Sequence, residues 1–196
     1  MKTIIYSPGD PAGIGPDIFL SLMHEGFFEY IKANVVCMGD KELFHSRSKE
    51  LGYSLEINSF SNINDINEKV GFLEIIKCHD ISSGILNSTN SEYVIENLDF
   101  AIDTCIKKMG FGLVTGPISK ENIIEGGYSF SGHTERIMQK TNSDHVLMLL
   151  ASERLKVALA TTHMPISKVP ESITKELIFN KVKILNQELK EKFNIE

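Results

Sequence analysis

The sequence predicts an α/β fold with parallel strand pairing. Three observations predict it. Short β-branched or apolar runs alternate with longer segments of helical periodicity, and Gly and Pro cluster where one gives way to the next. The composition, 42% hydrophobic and 23% charged over 196 residues, is that of an ordinary globular chain. Strand, helix, strand, helix in that order favours parallel neighbours with helices layered on the sheet.

The elements follow in order. Thr3 to Tyr6 is a β-branched and aromatic run suited to a buried strand. Ser7 to Pro16 is dense in turn formers, and Pro16 fits a first helical turn, where its missing N–H costs nothing. Ile18, Leu20, Leu22 and Met23 then supply an apolar helix face. Ala33 to Met38 reads as a second strand, and Lys41 to Leu51 as a second helix ended by Gly52. Leu55–Ile57 and Phe72–Ile76 read as short strands, with a polar, Asn-rich loop from Ser59 to Asn67 between them.

From Asn90 to Met109, Val94, Ile95, Leu98, Ala101, Ile102, Cys105 and Ile106 recur at helical spacing, and Gly110 closes the segment. Phe111 to Thr115 is a strand feeding the loop Gly116-Pro117-Ile118-Ser119-Lys120. After Gly126-Gly127, Ser131 to Met138 opens a helix. Val146–Leu150 and Leu155–Ala160 are two strands whose short connection favours an antiparallel hairpin. Thr174 caps a last helix carrying Ile178, Val182, Leu185 and Leu189. The domain expectation is a first α/β subdomain over 1–125 and the beginning of a second over 126–196, both incomplete.

Charge and cysteine usage exclude several classes. A formal net charge of -6 leaves no basic excess for nucleic acid. A small anionic substrate is compatible with it, because local donors can hold a phosphate inside an acidic protein. Cys37, Cys78 and Cys105 are scattered and odd in number, with no C-x-x-C pair, so they read as small buried hydrophobes. The first residues are too short an apolar run for a signal peptide and no run approaches a membrane span, so the expectation is a soluble cytoplasmic protein.

Two stretches carry chemistry: Ser131-Gly132-His133-Thr134-Glu135 and Thr161-Thr162-His163-Met164-Pro165. Each sets a histidine beside hydroxyl side chains at the mouth of an element. Gly132 lets backbone approach a ligand, and His133 and Thr134 offer donors to a phosphate or carboxylate. The alternative is a helix start capped by Ser131 or Thr134, with His133 an ordinary surface residue. His163 follows an apolar strand, where α/β ligand sites gather, and a neutral imidazole there suits a divalent metal such as zinc. The alternative is an imidazole satisfied by neighbouring backbone. Gly13-Ile14-Gly15 matches only the start of G-x-G-x-x-G, so the dinucleotide fingerprint fails. Gly116 to Lys120 is no Walker motif, and Lys120 reads either as a cleft residue or as solvated.

Four segments together carry a resemblance: Gly9-Asp10-Pro11-Ala12-Gly13-Ile14-Gly15-Pro16-Asp17, Val114-Thr115-Gly116-Pro117-Ile118-Ser119-Lys120, Ser131 to Glu135, and Ala160 to Pro165. In order and spacing they resemble the 4-hydroxythreonine-4-phosphate dehydrogenases of pyridoxal phosphate biosynthesis. Asp17, where many members have Glu, and Ser119, often Asn, are small departures. The resemblance implies a three-layer α/β/α fold akin to isocitrate and isopropylmalate dehydrogenases, with the C-terminal half missing. It implies a homodimer sharing its active site between subunits. His133 and Thr134 would bind the phosphorylated substrate, and His163 would be one of three histidine ligands to a divalent metal (zinc, magnesium or cobalt).

The implied reaction is oxidation of 4-phosphooxy-L-threonine by NAD and decarboxylation to 3-amino-2-oxopropyl phosphate. The family's second half carries the other metal histidines and most of the NAD site, so this chain alone is expected to be inactive. The alternatives are a paralogue acting on a four-carbon sugar-acid phosphate and a non-catalytic remnant that binds a phosphorylated ligand.

Overall fold

The computed structural model describes residues 2–195. The backbone divides into two compact units, Met1–Asn142 and Ser143–Glu196.

The first unit is built on a five-stranded sheet. Its strands are β1 (Lys2–Ser7), β2 (Ala33–Met38), β3 (Ser59–Phe60), β4 (Val70–Leu73) and β5 (Gly112–Thr115), in the order β3-β4-β2-β1-β5. Every pairing is parallel, so the expected α/β class holds. Its helices are α1 (Gly15–His24), α2 (Lys41–Glu50), α3 (Ser91–Ile106), α4 (Lys120–Glu125) and α5 (His133–Thr141).

Strand alternation decides what meets which helix. Tyr6, Val35, Cys37 and Phe72 cluster with Phe19 of α1 and Phe44 of α2. Tyr6 stacks on Phe19 at 5.0 Å, and Phe44 meets Phe72 at 4.8 Å. Ile5, Val36, Met38 and Leu73, from the intervening positions, cluster with Ala101 of α3. Burying each large ring of the first cluster contributes about 1.5–3 kcal/mol. The sheet is thus covered on both faces, which is why β1 and β2 read as continuous apolar runs.

Most element boundaries follow the sequence reading, and the departures have physical causes. Leu55–Ile57 is not a strand. Ile57 is instead a buried plug, and β3 forms inside the stretch expected to be loop, because Ser59 and Phe60 find partners in Phe72 and Leu73. The strand expected at Phe72–Ile76 ends at Leu73; beyond it, the Glu74 carboxylate accepts from the Lys41 backbone N–H at 3.0 Å. Helix α3 stops at Ile106, before Gly110, and Lys108 takes the left-handed conformation with φ 60°. Helix α4 was not expected. Ser119 caps it by accepting from the Asn122 N–H at 3.2 Å.

The second unit holds an antiparallel hairpin of β6 (Leu149–Ala151) and β7 (Lys156–Ala158), as expected, with β6 starting later and ending one residue beyond the expected Leu150, and β7 shorter at both ends. A single-turn helix α6 (Val169–Ser172) precedes α7 (Lys175–Phe193). Thr174 caps α7 as its sequence implies, accepting from Leu177 N–H at 3.0 Å. Among the described residues no helix is long and apolar enough to cross a membrane.

Candidate functional site

The strand order fixes where a ligand site belongs. From β1 the chain steps to β2 and β4 on one side, then returns to place β5 on the other. In parallel sheets the crevice at such a reversal, beyond the carboxyl ends of the strands, is the usual ligand position. Here that crevice lies beyond Ser7 and Thr115, which are register partners.

The two loops leaving these strand ends are locked backbone to backbone. Gly116 N–H donates to Ser7 O at 2.7 Å, and Asp10 N–H donates to Pro117 O at 3.2 Å. Such contact requires glycine. A Cβ on Gly9, whose φ is 81°, would lie 2.2 Å from Pro117 O, and one on Gly116 would lie 2.1 Å from Pro8 O. This is the physical content of the Gly-rich 9–16 segment: a close-packed strand-to-helix turn rather than a dinucleotide loop.

Asp10 ties these loops to α4. Its buried carboxylate accepts from Ala12 N–H at 2.9 Å and from Asn122 Nδ2 at 3.3 Å. Burial raises the Asp10 pKa, and these two hydrogen bonds oppose the rise. Asn122 is itself buried, and its backbone carbonyl accepts from Ser91 Oγ at 3.0 Å. Sequence reading missed both Asp10 and Asn122. The available signal for Asp10 was a lone carboxylate between Gly9 and Pro11 at the end of a buried strand.

His133 and Thr134 open α5 in the same unit. Phe130, part of the core, meets the His133 ring edge-to-face at 6.1 Å and 85°. The imidazole is half-buried, while Thr134 is exposed. The His133 pKa is lowered, first by burial and then by the nearby positive charge of Lys120. A neutral imidazole offers one donor and one acceptor, suited to a substrate hydroxyl or to a hydrogen bond with an anion. Helix α5 is held to α3 by charge: Arg136 Nε donates to Asp99 at 2.7 Å, and Lys140 Nζ lies 3.0 Å from Asp103. Neither Ser131 nor Thr134 caps α5, because no side chain bonds its first amides.

His163 belongs to the second unit, in the turn beyond β7. It is exposed and adopts φ 56°, an uncommon conformation for a residue with a side chain. Among the described residues no group of three or more His, Cys, Asp or Glu could hold a metal ion. A catalytic divalent metal usually takes three protein ligands, so the described residues do not build such a site by themselves. A separate cavity of about 240 Å³, lined in part by Asp40, Arg47, Glu50 and Cys78, contains none of the predicted site residues. Its charges are already partnered: Asp40 caps α2, and Arg47 pairs with Asp17 and the Pro11 carbonyl.

Comparison with known proteins decides the family. Residues 31–196 match the family model described as pyridoxal phosphate biosynthetic protein PdxA. The chain belongs to that family. A 4-hydroxythreonine-4-phosphate dehydrogenase of Sodalis glossinidius is 36% identical over 198 residues, covering 99% of this chain and 59% of that protein. One from Vibrio cholerae is 37% identical over 198 residues with the same coverage of both. A 4-hydroxythreonine-4-phosphate dehydrogenase structure from Klebsiella pneumoniae superposes with a TM-score of 0.85 at 21% identity, covering 97% of this chain and 60% of that one. Another from Burkholderia phymatum gives 0.83 at 22%, covering 96% and 58%. At those identities the structural likeness shows the α/β fold. The chain spans about three-fifths of the length of these PdxA-family relatives.

Proposed function

We propose that this PdxA-family chain carries the substrate-binding part of a dehydrogenase for 4-phosphooxy-L-threonine, in which His133 and Thr134 bind the substrate. The observation that carries the reading is the half-buried imidazole of His133, its pKa lowered by burial and then by the Lys120 charge, at a helix start beside α4 of the β1–β5 crevice. The fold restrains the groups around it. Asp10 and Asn122 hold the loops, and Arg136 and Lys140 hold α5, so the substrate meets donors that need little reorganisation.

NAD, when bound, would accept the hydride from the substrate's secondary alcohol, giving a β-keto acid that loses carbon dioxide. His133 would hold its proton on one ring nitrogen and accept at the other, orienting the substrate without adding charge. Thr134 would donate its hydroxyl to a substrate oxygen. The divalent metal of the reading, zinc, magnesium or cobalt, would take His163 as one ligand with others from outside this chain. A cytoplasmic homodimer with a shared site, and a subdomain division after residue 125, belong to the same reading. The chain alone is expected to turn over no substrate.

Calorimetric titration of the 196-residue chain with 4-phosphooxy-L-threonine tests the binding role. Heat of binding that is lost in His133→Asn and Thr134→Val is expected. Equal binding by both variants and the parent chain would refute the assignment. A panel including threonate and erythronate phosphates separates the paralogue reading, and NADH absorbance is expected to stay flat for the chain alone.

A further inference from the structure

Lys120 begins α4, and Gly132 immediately precedes α5. The Lys120 ammonium lies 3.2 Å, and its Cε 3.5 Å, from the point where a Cβ would stand on Gly132. Glu135 Oε2 lies 2.6 Å from the same point. The absence of a side chain at buried Gly132 therefore lets the Lys120 ammonium stand beside the start of α5.

Lys120 is exposed, and what marks it out is the group beside it. Arg136 and Lys140, on the neighbouring helix, are both paired with aspartates. Lys120 enters no ion pair among the described residues, and its charge falls on His133. The backbone beneath it is fixed by the Ser119 cap and by the Asn122 bond to Asp10. A cation on anchored backbone, outside any ion pair among the described residues and close to a group whose protonation it opposes, is arranged to receive an anion.

We propose that Lys120 is a further substrate-binding residue, pairing with an anionic group of the ligand held by His133 and Thr134. The proposal rests on the reading that those two residues bind substrate. A lysine acts as a compact point charge and accepts phosphate and carboxylate alike, so the group is assigned as a ligand oxyanion. Glu135 stands beside the same glycine.

The test titrates the 196-residue chain calorimetrically with 4-phosphooxy-L-threonine, 4-hydroxy-L-threonine and inorganic phosphate, and follows the His133 ring resonances against pH where the ring is present. Lys120→Gln is expected to weaken 4-phosphooxy-L-threonine at least 10-fold, and Lys120→Arg to restore most of the affinity. Without ligand, Lys120→Gln should also raise the His133 pKa, a change that a merely structural lysine would not produce. If Lys120 meets the phosphate, the loss extends to inorganic phosphate and spares 4-hydroxy-L-threonine. If it meets the carboxylate, the pattern reverses. Both patterns support the proposal. Wild-type affinity of Lys120→Gln for all three ligands, with His133→Asn and Thr134→Val both impaired, overturns the role of Lys120 and leaves the site reading standing. Undiminished binding by all three variants, or no binding by the parent chain, overturns both.

Discussion

Replacing Gly9 by Ala probes the join between the two strand-end loops more sharply than any core truncation. Two costs add there. Gly9 has φ 81°, and placing an L-residue in the left-handed region costs about 1–2 kcal/mol, offset by about 0.4–1 kcal/mol from a less flexible unfolded chain. The new Cβ would also stand 2.2 Å from Pro117 O, so the backbone must retreat by about 1 Å to reach ordinary contact. That retreat strains the Asp10 N–H bond to Pro117 O, and orphaning a buried amide costs about 1–3 kcal/mol. The expected loss is about 3 kcal/mol, a large share of a typical domain stability of about 5–15 kcal/mol.

Gly26→Ala is the control. Its φ is 67° with nothing within 4 Å of the added Cβ, so it carries the conformational cost alone, about 1 kcal/mol or less. Urea unfolding followed by far-ultraviolet circular dichroism measures both. Amide exchange at Ile5 and Val36 confines the result to the parallel sheet. A Gly9→Ala loss within about 0.5 kcal/mol of the Gly26→Ala loss would refute the claim that the loops are locked by backbone contact.

Three further outcomes follow from the same geometry. Because the folded His133 pKa is lowered, the unfolded chain binds the extra proton first. Stability should therefore fall as pH drops below the ordinary histidine value of about 6.5. Urea midpoints from pH 8 to 5 should show a shallower decline in His133→Asn. Asp99→Asn removes the charged partner of Arg136 on a mostly buried pair and should loosen α5 from α3 by about 1–2 kcal/mol, read as roughly 10-fold faster exchange of α5 amides. The Cys78 thiol pKa is raised by burial and by the adjacent Asp40 carboxylate, which accepts from its Sγ at 3.4 Å. Asp40→Asn keeps an oxygen to cap α2 yet should speed alkylation of Cys78 by iodoacetamide, measured by mass spectrometry.

Much of this molecule was legible in one dimension, and the reasons are local. The runs Thr3–Tyr6 and Ala33–Met38 announced strands, the first of them a buried one. Thr174 announced a helix start, and the four spaced motifs announced the family. Such signals work because propensity, capping and periodicity depend on neighbours within a few residues. What failed was non-local. Ser59–Phe60 became a strand only because Phe72 and Leu73 offer it a ladder, while Ile57 was withdrawn into the core. Lys120 read more readily as a solvated lysine than as a cleft residue. Only the packing of α4 against the start of α5 set its ammonium beside Gly132 and His133.

By itself, then, the sequence determined the α/β class, most elements and the family, since each rests on short-range pattern or motif order. The tertiary structure decided the strand order, and with it the crevice between β1 and β5. It also decided the burial of Asp10 against Asn122, 112 positions away, and the charge environment of His133. Those depend on which distant segments share a volume, and burial and Coulomb interactions act through space rather than along the chain.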